Sequence, residues 1–179
     1  MFMIYEPRDD SHMLEKQVKK FAVGRVLDMG TGCGIQALAA LEKTKDVEAC
    51  DISQEAADHV KSLGVNVYQS DLFENVKGKF DLIIFNPPYL PLDRDEDEES
   101  RTITTGGEKG YEVIERFLKE AKNYLNKDGV ILLVFSSLSG DVDNIIEENG
   151  YCYEKLDEKK VFFESLYVYK VKIGKDACF

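Results

Sequence analysis

Tryptophan is absent from this chain of 179 residues, and cysteine, histidine, proline and long apolar runs are scarce. The longest uninterrupted apolar run, residues 130–135, is far too short to span a bilayer. The first residues show no basic stretch followed by an apolar core. Neither a membrane segment nor a signal peptide is therefore expected.

The few cysteines are scattered, without a Cys-x-x-Cys pair and without a histidine close by in the sequence. Zinc sites and disulfide frameworks both need cysteines at characteristic spacings, so neither is expected. Unpaired cysteines are typical of a reducing compartment, and the chain is predicted to be cytoplasmic. The cysteines are Cys33, Cys50, Cys152 and Cys178.

Basic residues are fewer than acidic ones. Lysine and arginine number 23 against 34 aspartates and glutamates, which leaves a formal net charge of −11. Such a surface repels phosphate groups, which argues against nucleic-acid binding by this chain alone. The length suits one folded domain, covering residues 1–179, that buries about two-thirds of its unfolded surface.

An Asn-Pro-Pro-Tyr turn follows the most strand-like stretch in the chain. Residues 80–85 have the length and the β-branched and aromatic content of a buried strand. Two prolines cannot continue a hydrogen-bonded ladder, so the strand must end there in a stiff turn. Open α/β sheets bind ligands at this carboxyl edge, although such a turn could also do no more than end the strand. The turn consists of Asn86, Pro87, Pro88 and Tyr89.

A glycine loop upstream has the pattern of a nucleotide-type cofactor site. A short predicted strand runs into Gly-Thr-Gly-Cys-Gly, which begins at Gly30, and an alanine-rich helix follows. Glycines allow close backbone approach, and the free N–H groups of a helix N-terminus attract an anionic group. Asp51 ends the next strand, 21 residues after Gly30, where a carboxylate would hold ribose hydroxyl groups. Asp51 could equally serve as negative charge at the start of the following helix.

A third predicted strand, residues 65–69, leads to Asp71 and Leu72. This pair could accept a hydrogen bond from an exocyclic amine and pack on a ring, or it could form a solvated turn. At the start of the chain, a helical pattern follows Asp10 and Ser11, either of which could be its N-cap.

Four further segments are predicted from their patterns. The acidic stretch at 93–99 is expected to lie in a solvated loop over 90–105. Residues 111–125 show the clearest helical periodicity. Two strands near 151–156 and 161–171 are expected to pair antiparallel, because no long crossover joins them.

Together these motifs resemble the class I S-adenosylmethionine-dependent methyltransferases, and more narrowly the HemK family of glutamine N5-methyltransferases acting on translation release factors. The resemblance includes Asp-Met-Gly-Thr-Gly-Cys-Gly at 28–34, the Asn-Pro-Pro-Tyr turn and Thr-Gly-Gly-Glu-Lys-Gly at 105–110. It also includes Tyr-Glu-Pro-Arg-Asp-Asp-Ser at 5–11, where Arg8 departs from the family's usual alanine. The N-terminal helical domain of the bacterial members has no counterpart here, so the short archaeal and eukaryotic branch is the expected one.

This resemblance implies an α/β fold with a Rossmann-like seven-stranded sheet, in the order 3-2-1-4-5-7-6 and with the last strand antiparallel. It implies S-adenosyl-L-methionine as the cofactor, covered by an N-terminal helical segment at 1–24. The implied cofactor-binding residues are Ser11, Asp28, Gly30, Asp51, Asp71, Leu72 and Asn86. The implied acceptor-binding residues are Asn86, Pro87, Pro88 and Tyr89, with catalytic roles for Asn86, Pro87 and Tyr89.

The implied reaction is N5-methylation of a glutamine side chain in a class I peptide chain release factor. Adenine presents a similar planar amine, so an adenine N6-methyltransferase of ribosomal RNA or DNA is the main alternative. Protein lysine methylation is a further alternative with the same pocket. A cofactor-binding scaffold without catalysis is disfavoured by the intact Asn-Pro-Pro-Tyr turn.

The resemblance also implies a partner. Short members of the family work with a small zinc-binding activator subunit, which extends the sheet at its third strand. In this chain that edge would run from Val65 to Gln69, and it contains no lysine or proline to discourage strand pairing.

Overall fold

The computed structural model describes residues 7–95 and 97–174, except the side chains of Glu98 and Glu99. None of the helices in these ranges is both long and apolar enough to cross a membrane. The elements, in chain order, are α1 (Asp9–Phe21), β1 (Val26–Met29), α2 (Ile35–Leu41), β2 (Val47–Asp51), α3 (Gln54–Ser62), β3 (Asn66–Gln69), β4 (Phe80–Phe85), β5 (Leu90–Pro91), α4 (Glu98–Thr104), β6 (Thr105–Gly107), α5 (Glu112–Ala121), β7 (Leu125–Ser136), α6 (Val142–Glu148), β8 (Tyr151–Val161) and β9 (Glu164–Ile173).

Seven of these strands form one sheet, in the order β3-β2-β1-β4-β7-β9-β8. The pairs β1–β2, β1–β4, β2–β3 and β4–β7 are parallel, whereas β9 runs antiparallel to both β7 and β8. The short strands β5 and β6 form a separate pair. Without that pair, the order is 3-2-1-4-5-7-6 with an antiparallel last strand, which confirms the predicted Rossmann-like sheet.

Helices cover both faces of the sheet, and this explains why its central strands are apolar almost throughout. Every residue of β1 is buried. Ile114 and Phe117 of α5 belong to the cluster on one face, and Leu14 and Val18 of α1 belong to the cluster on the other. A parallel sheet buried on both faces needs strands of this composition. The strand ends are therefore the places where polar groups can meet a ligand.

The segment 90–105 contains α4 and two short strands, so the prediction of a loop there was wrong. Asp97 caps α4, and its carboxylate accepts a hydrogen bond from the Ser100 backbone N–H at 2.9 Å. The backbone N–H of Tyr89 donates to the Thr104 carbonyl at 3.1 Å, which fastens the end of α4 to the turn after β4. An acidic N-cap stabilises a helix start, so acidic residues at this position support a helix.

Two of the cysteines, Cys33 and Cys50, are free. Cys178 lies outside the described residues.

Candidate active site

The carboxyl ends of β1, β2 and β4 open into a cavity of about 880 Å³. Its wall includes the glycine loop after β1, Asp51 at the end of β2 and the Asn-Pro-Pro-Tyr turn after β4. Residues 8–11, at the start of α1, and part of the β8–β9 hairpin complete it. A cavity of this volume can hold a ligand of the size of a cofactor.

Asp28 lies beneath the glycine loop and is not among the residues that line the cavity. Its side chain is 1% exposed. The Oδ2 atom accepts hydrogen bonds from the Thr31 hydroxyl at 2.6 Å and from the Ala37 backbone N–H at 3.1 Å. These bonds tie the end of β1 to the start of α2 and thereby hold the loop. Burial raises the pKa of the Asp28 carboxyl to about 7, because the charged form is poorly solvated there.

Asp51 binds two backbone N–H groups at the cavity wall. Its Oδ2 accepts from Gly32 at 2.9 Å, and its Oδ1 accepts from Ser53 at 2.9 Å. Ser53 is the N-cap of α3, so Asp51 does lie at a helix start. Burial raises the pKa of this carboxyl as well. A carboxylate has about four acceptor sites, so Asp51 can still accept from hydroxyl groups, and the two roles considered for it are compatible.

Asp71 and Leu72 line the cavity next to α5, and Asp71 forms an ion pair with Arg116 of that helix. Leu72 has a φ of 45° and is the one non-glycine residue with positive φ in the described ranges. This conformation is unfavourable for a side-chain-bearing residue, and such residues cluster at ligand sites. Nothing in the sequence pattern marks Arg116, because the periodicity of α5 indicates only which residues pack.

The start of α1 holds the amide of Asn86. Its Nδ2 lies 3.4 Å from Asp10 Oδ2 and 3.4 Å from Ser11 Oγ. The Tyr89 hydroxyl donates to the same Asp10 oxygen at 3.0 Å. A carboxylate only accepts hydrogen bonds, so the NH₂ group of Asn86 faces Asp10. The Oδ1 atom of Asn86 is thereby left to accept from a ligand.

The sequence pattern does not reveal this role of Asp10. It predicts Asp10 or Ser11 as the N-cap of α1, but the helix begins at Asp9, and Arg8 occupies the N-cap position. Asp10 is 2% exposed, and its Oδ1 accepts from the Ser11 backbone N–H at 2.6 Å. Acidic residues are favourable throughout the first turn of a helix. The contacts with Asn86 and Tyr89, both distant in sequence, distinguish Asp10 from an ordinary capping residue.

The glycines of segment 105–110 let its backbone lie directly against the Asn-Pro-Pro-Tyr turn. A Cβ on Gly106 would lie 2.7 Å from the Pro88 carbonyl oxygen, and a Cβ on Gly110 would lie 2.7 Å from that of Tyr89. Gly110 also has a φ of +94°, which side chains rarely adopt. The Gly-Gly-x-x-Gly pattern therefore has a packing role beside the turn.

Two further parts of the cavity wall lie outside the motifs singled out in the sequence. Ile52, directly after Asp51, is largely exposed at the cavity. The β8–β9 hairpin contributes Val161, Phe162 and Leu166. The sequence pattern does not distinguish these apolar residues from ordinary strand or turn residues, so only the structure assigns them to the cavity.

The protein family described as methyltransferase small domain matches residues 6–163 of this chain. The chain belongs to that family. A Methanocaldococcus jannaschii relative, named as a candidate protein N5-glutamine methyltransferase, is 38% identical, and the alignment covers 92% of this chain and 89% of the relative. The Haemophilus influenzae release factor glutamine methyltransferase is 28% identical over 81% of this chain. The chain spans 61% of that bacterial protein.

Among solved structures, a chain of the E. cuniculi Mtq2–Trm112 complex is similar, with a TM-score of 0.76 and 28% identity. The match covers 95% of this chain and 98% of that one. The complex is described as responsible for methylation of the eRF1 translation termination factor.

As a member of the methyltransferase small domain family, the chain is an S-adenosylmethionine-dependent methyltransferase. The cavity residues fit that cofactor. Asp51 offers a buried acceptor for ribose hydroxyl groups, and the apolar side chains of Ile52 and Leu72 line the same cavity, where an adenine ring would be shielded from water. The glycine loop adds backbone to the same wall.

Replacing Asp28 with asparagine should remove a pH dependence from the free energy of unfolding. In the folded chain this carboxyl takes up a proton below about pH 7, whereas in the unfolded chain it does so only below about pH 4. Between these values the folded state binds the extra proton, so stability falls as pH rises, by up to about 1.4 kcal/mol per pH unit. Thermal unfolding should therefore show the wild type losing stability relative to Asp28→Asn from about pH 5 to about pH 7. A constant difference over this range would contradict the raised pKa.

Replacing Asp10 with asparagine should slow methyl transfer by about tenfold or more. The amide nitrogen of the new side chain is a hydrogen-bond donor, and it would face groups that are donors themselves. The expected loss is in kcat, with S-adenosylhomocysteine affinity measured in parallel by calorimetry. Glu15→Gln is a matched control, since Glu15 lies on the same helix and, among the described residues, forms its ion pairs with His12 and Lys19 on the helix surface. An Asp10→Asn enzyme with wild-type kcat would show that Asp10 does not position Asn86.

Proposed function

We propose that this methyltransferase modifies N5 of a glutamine side chain in a class I peptide chain release factor, with S-adenosyl-L-methionine as the methyl donor. The observation that carries the proposal is the fixed amide of Asn86, whose nitrogen faces Asp10 while its oxygen is left to accept. The names of the relatives support a release factor as the acceptor. Release factors act on ribosomes, so we also propose that the protein is cytoplasmic, as the sequence predicts.

A glutamine amide needs orientation more than it needs a base. Its nitrogen is a weak nucleophile, because the lone pair is delocalised into the carbonyl group. Asn86 Oδ1 and the Pro87 carbonyl each accept one of its N–H bonds, and this turns the nitrogen towards the donor. Tyr89, held by Asp10, walls the planar amide. Positioning and exclusion of water therefore supply most of the rate enhancement.

S-adenosylmethionine, when bound, supplies a methyl group on a positively charged sulfur. The residues that would hold it are Asp51 at the ribose, Asp71 with Leu72 at the adenine, and Ser11 with Gly30 at the methionine part. Asp28 acts on this part of the site through the loop that it holds.

Asn86→Ala should lower methyl transfer to a release factor by about a hundredfold or more, because it removes an acceptor that orients the amide. Its affinity for S-adenosylhomocysteine should stay close to that of the wild type. Asp51→Ala should show the opposite pattern, with weakened S-adenosylhomocysteine binding. Radiolabelled S-adenosylmethionine with a release factor, and separately with total RNA, provides the assay.

Two results would contradict the proposal. Substantial turnover by Asn86→Ala would remove that side chain from the reaction. If the wild type labels RNA and not the release factor, adenine is the methyl acceptor. A glutamine-to-alanine release factor is the matched control, because it keeps the protein surface and removes only the acceptor amide.

A small partner subunit at the β3 edge of the sheet is also part of the proposal. In the described ranges no strand pairs with the outer side of β3. Val67 and Tyr68 are half-buried there, so the strand presents backbone groups flanked by apolar side chains, which favours strand addition. The similarity to a chain of the two-protein Mtq2–Trm112 complex supports such a partner. That the partner binds zinc is likewise proposed.

Val67→Lys should weaken capture of such a subunit on co-expression, because a charge would stand where the partner strand adds. Ile173→Lys is the matched control, since it places the same charge on β9, near the other side of the sheet. Co-purification measures the outcome, and thermal unfolding reports whether each variant is folded. Equal recovery of the subunit with both variants would mean that β3 is not the docking edge.

A further inference from the structure

The turn between β8 and β9 carries two phenylalanines that lie almost wholly in solvent. Phe162 is 103% exposed and Phe163 is 95% exposed, more than any other large apolar residue of the described chain. Solvent-exposed apolar side chains contribute nothing to the core. Two adjacent phenyl rings in water form an apolar patch of the kind that marks an interaction site.

The local backbone does not require these residues. Hairpin turns are usually made by glycine, asparagine or aspartate, which suit the turn conformations and are well solvated. Neither phenylalanine has the positive φ that some of these turns need, since Leu72 is the one described non-glycine residue of that kind. Polar residues would therefore serve the turn at least as well, and the phenyl rings call for another explanation.

The hairpin is held firmly against the rest of the site. Ser137 donates its backbone N–H to the Ser165 carbonyl at 2.8 Å, and Ser165 donates its own to the Ser137 hydroxyl at 3.0 Å. Lys159 forms an ion pair of 2.7 Å with Asp9 at the start of α1. These contacts fix both strands just below the turn. The two exposed phenylalanines therefore stand at the tip of a hairpin whose strands are held in place.

The tip stands beside the same cavity as the Asn-Pro-Pro-Tyr turn. Val161, Phe162 and Leu166 of the hairpin line that cavity together with Asn86 and Tyr89. Phe163 does not line it and, at 95% exposure, points its ring away from the protein surface. A glutamine side chain that reaches Asn86 enters the same cavity that this hairpin lines.

We infer that Phe162 and Phe163 bind the acceptor protein next to the glutamine that is methylated. This rests on the proposed function, because it requires a polypeptide acceptor. Aromatic anchors of this kind dominate the affinity of protein interfaces. The formal charge of −11 favours a polypeptide over a nucleic acid as the occupant, since a surface with net negative charge repels phosphate groups.

The test compares Phe162→Ser/Phe163→Ser and Phe163→Ser with the wild type, using the full chain of 179 residues. Val23→Ser is the matched control, because Val23 is also largely exposed but lies before β1, at the opposite end of the sheet. The affinity for a class I release factor is measured by calorimetry in the presence of S-adenosylhomocysteine. Methyl transfer to the same release factor is measured separately.

Both tip variants should bind the release factor at least about tenfold more weakly and show a KM raised by a similar factor. The kcat of Phe163→Ser at saturating release factor should stay within about twofold of the wild type, since Phe163 lies outside the cavity. Phe163→Ser should also leave the S-adenosylhomocysteine affinity unchanged, because Phe163 lies outside the cavity. Val23→Ser should match the wild type in every measurement.

Unchanged release-factor affinity in the tip variants would overturn the inference and leave the proposed function intact. If the wild type binds the release factor through the tip but does not methylate it, the inference stands and the proposed function is wrong. If the wild type does not bind the release factor, both are wrong. Binding to phosphatidylglycerol vesicles that the tip variants lose, with release-factor affinity unchanged, would assign the tip to lipid and also overturn the inference.

Discussion

The site depends on one buried carboxylate, that of Asp10. One of its oxygens takes the backbone N–H of Ser11, and the other takes the Tyr89 hydroxyl and the Asn86 amide. The Ser11 carbonyl in turn accepts from Gln36 of α2 at 2.9 Å. A desolvated carboxylate is tolerated only while its acceptor sites are filled. Helix α1, the turn after β4 and the helix beyond the glycine loop therefore share one hydrogen-bonded network, in which losing one member leaves the others unsatisfied.

The features that could be predicted from sequence are those set by short-range physical constraints. Two prolines must end β4, and apolar runs buried on both faces identify β1, β4 and β7 as central strands. The glycine loop and the carboxylate of Asp51 follow from spacing alone. The antiparallel pairing of β8 with β9 follows because no crossover connects them. Together with the family resemblance, these constraints were enough for the strand order, which local patterns do not specify.

The features that could not be predicted are those created by contacts between distant segments. Charge counting predicted a loop where Asp97 caps α4. Helix-start preferences made Asp10 a capping candidate, although its partner Asn86 lies 76 residues away. Arg116 belongs to α5, where the spacing of apolar residues indicates only which side chains pack in the core. Its ion pair with Asp71 depends on how α5 lies on the sheet. Propensities describe a residue's neighbours in sequence, and these roles arise from neighbours in space.

The wall of the cavity includes residues 8–11, residues 86–89 and part of the β8–β9 hairpin, which lie at the beginning, in the middle and near the end of the described chain. Contacts of such large sequence separation form late in folding, because the loops between them must close first. During synthesis the start of α1 leaves the ribosome long before the hairpin that pairs with it through Lys159 and Asp9 exists. A nascent chain can thus build its parallel strands in order, yet its methyl-transfer site becomes whole only after the β8–β9 hairpin has emerged.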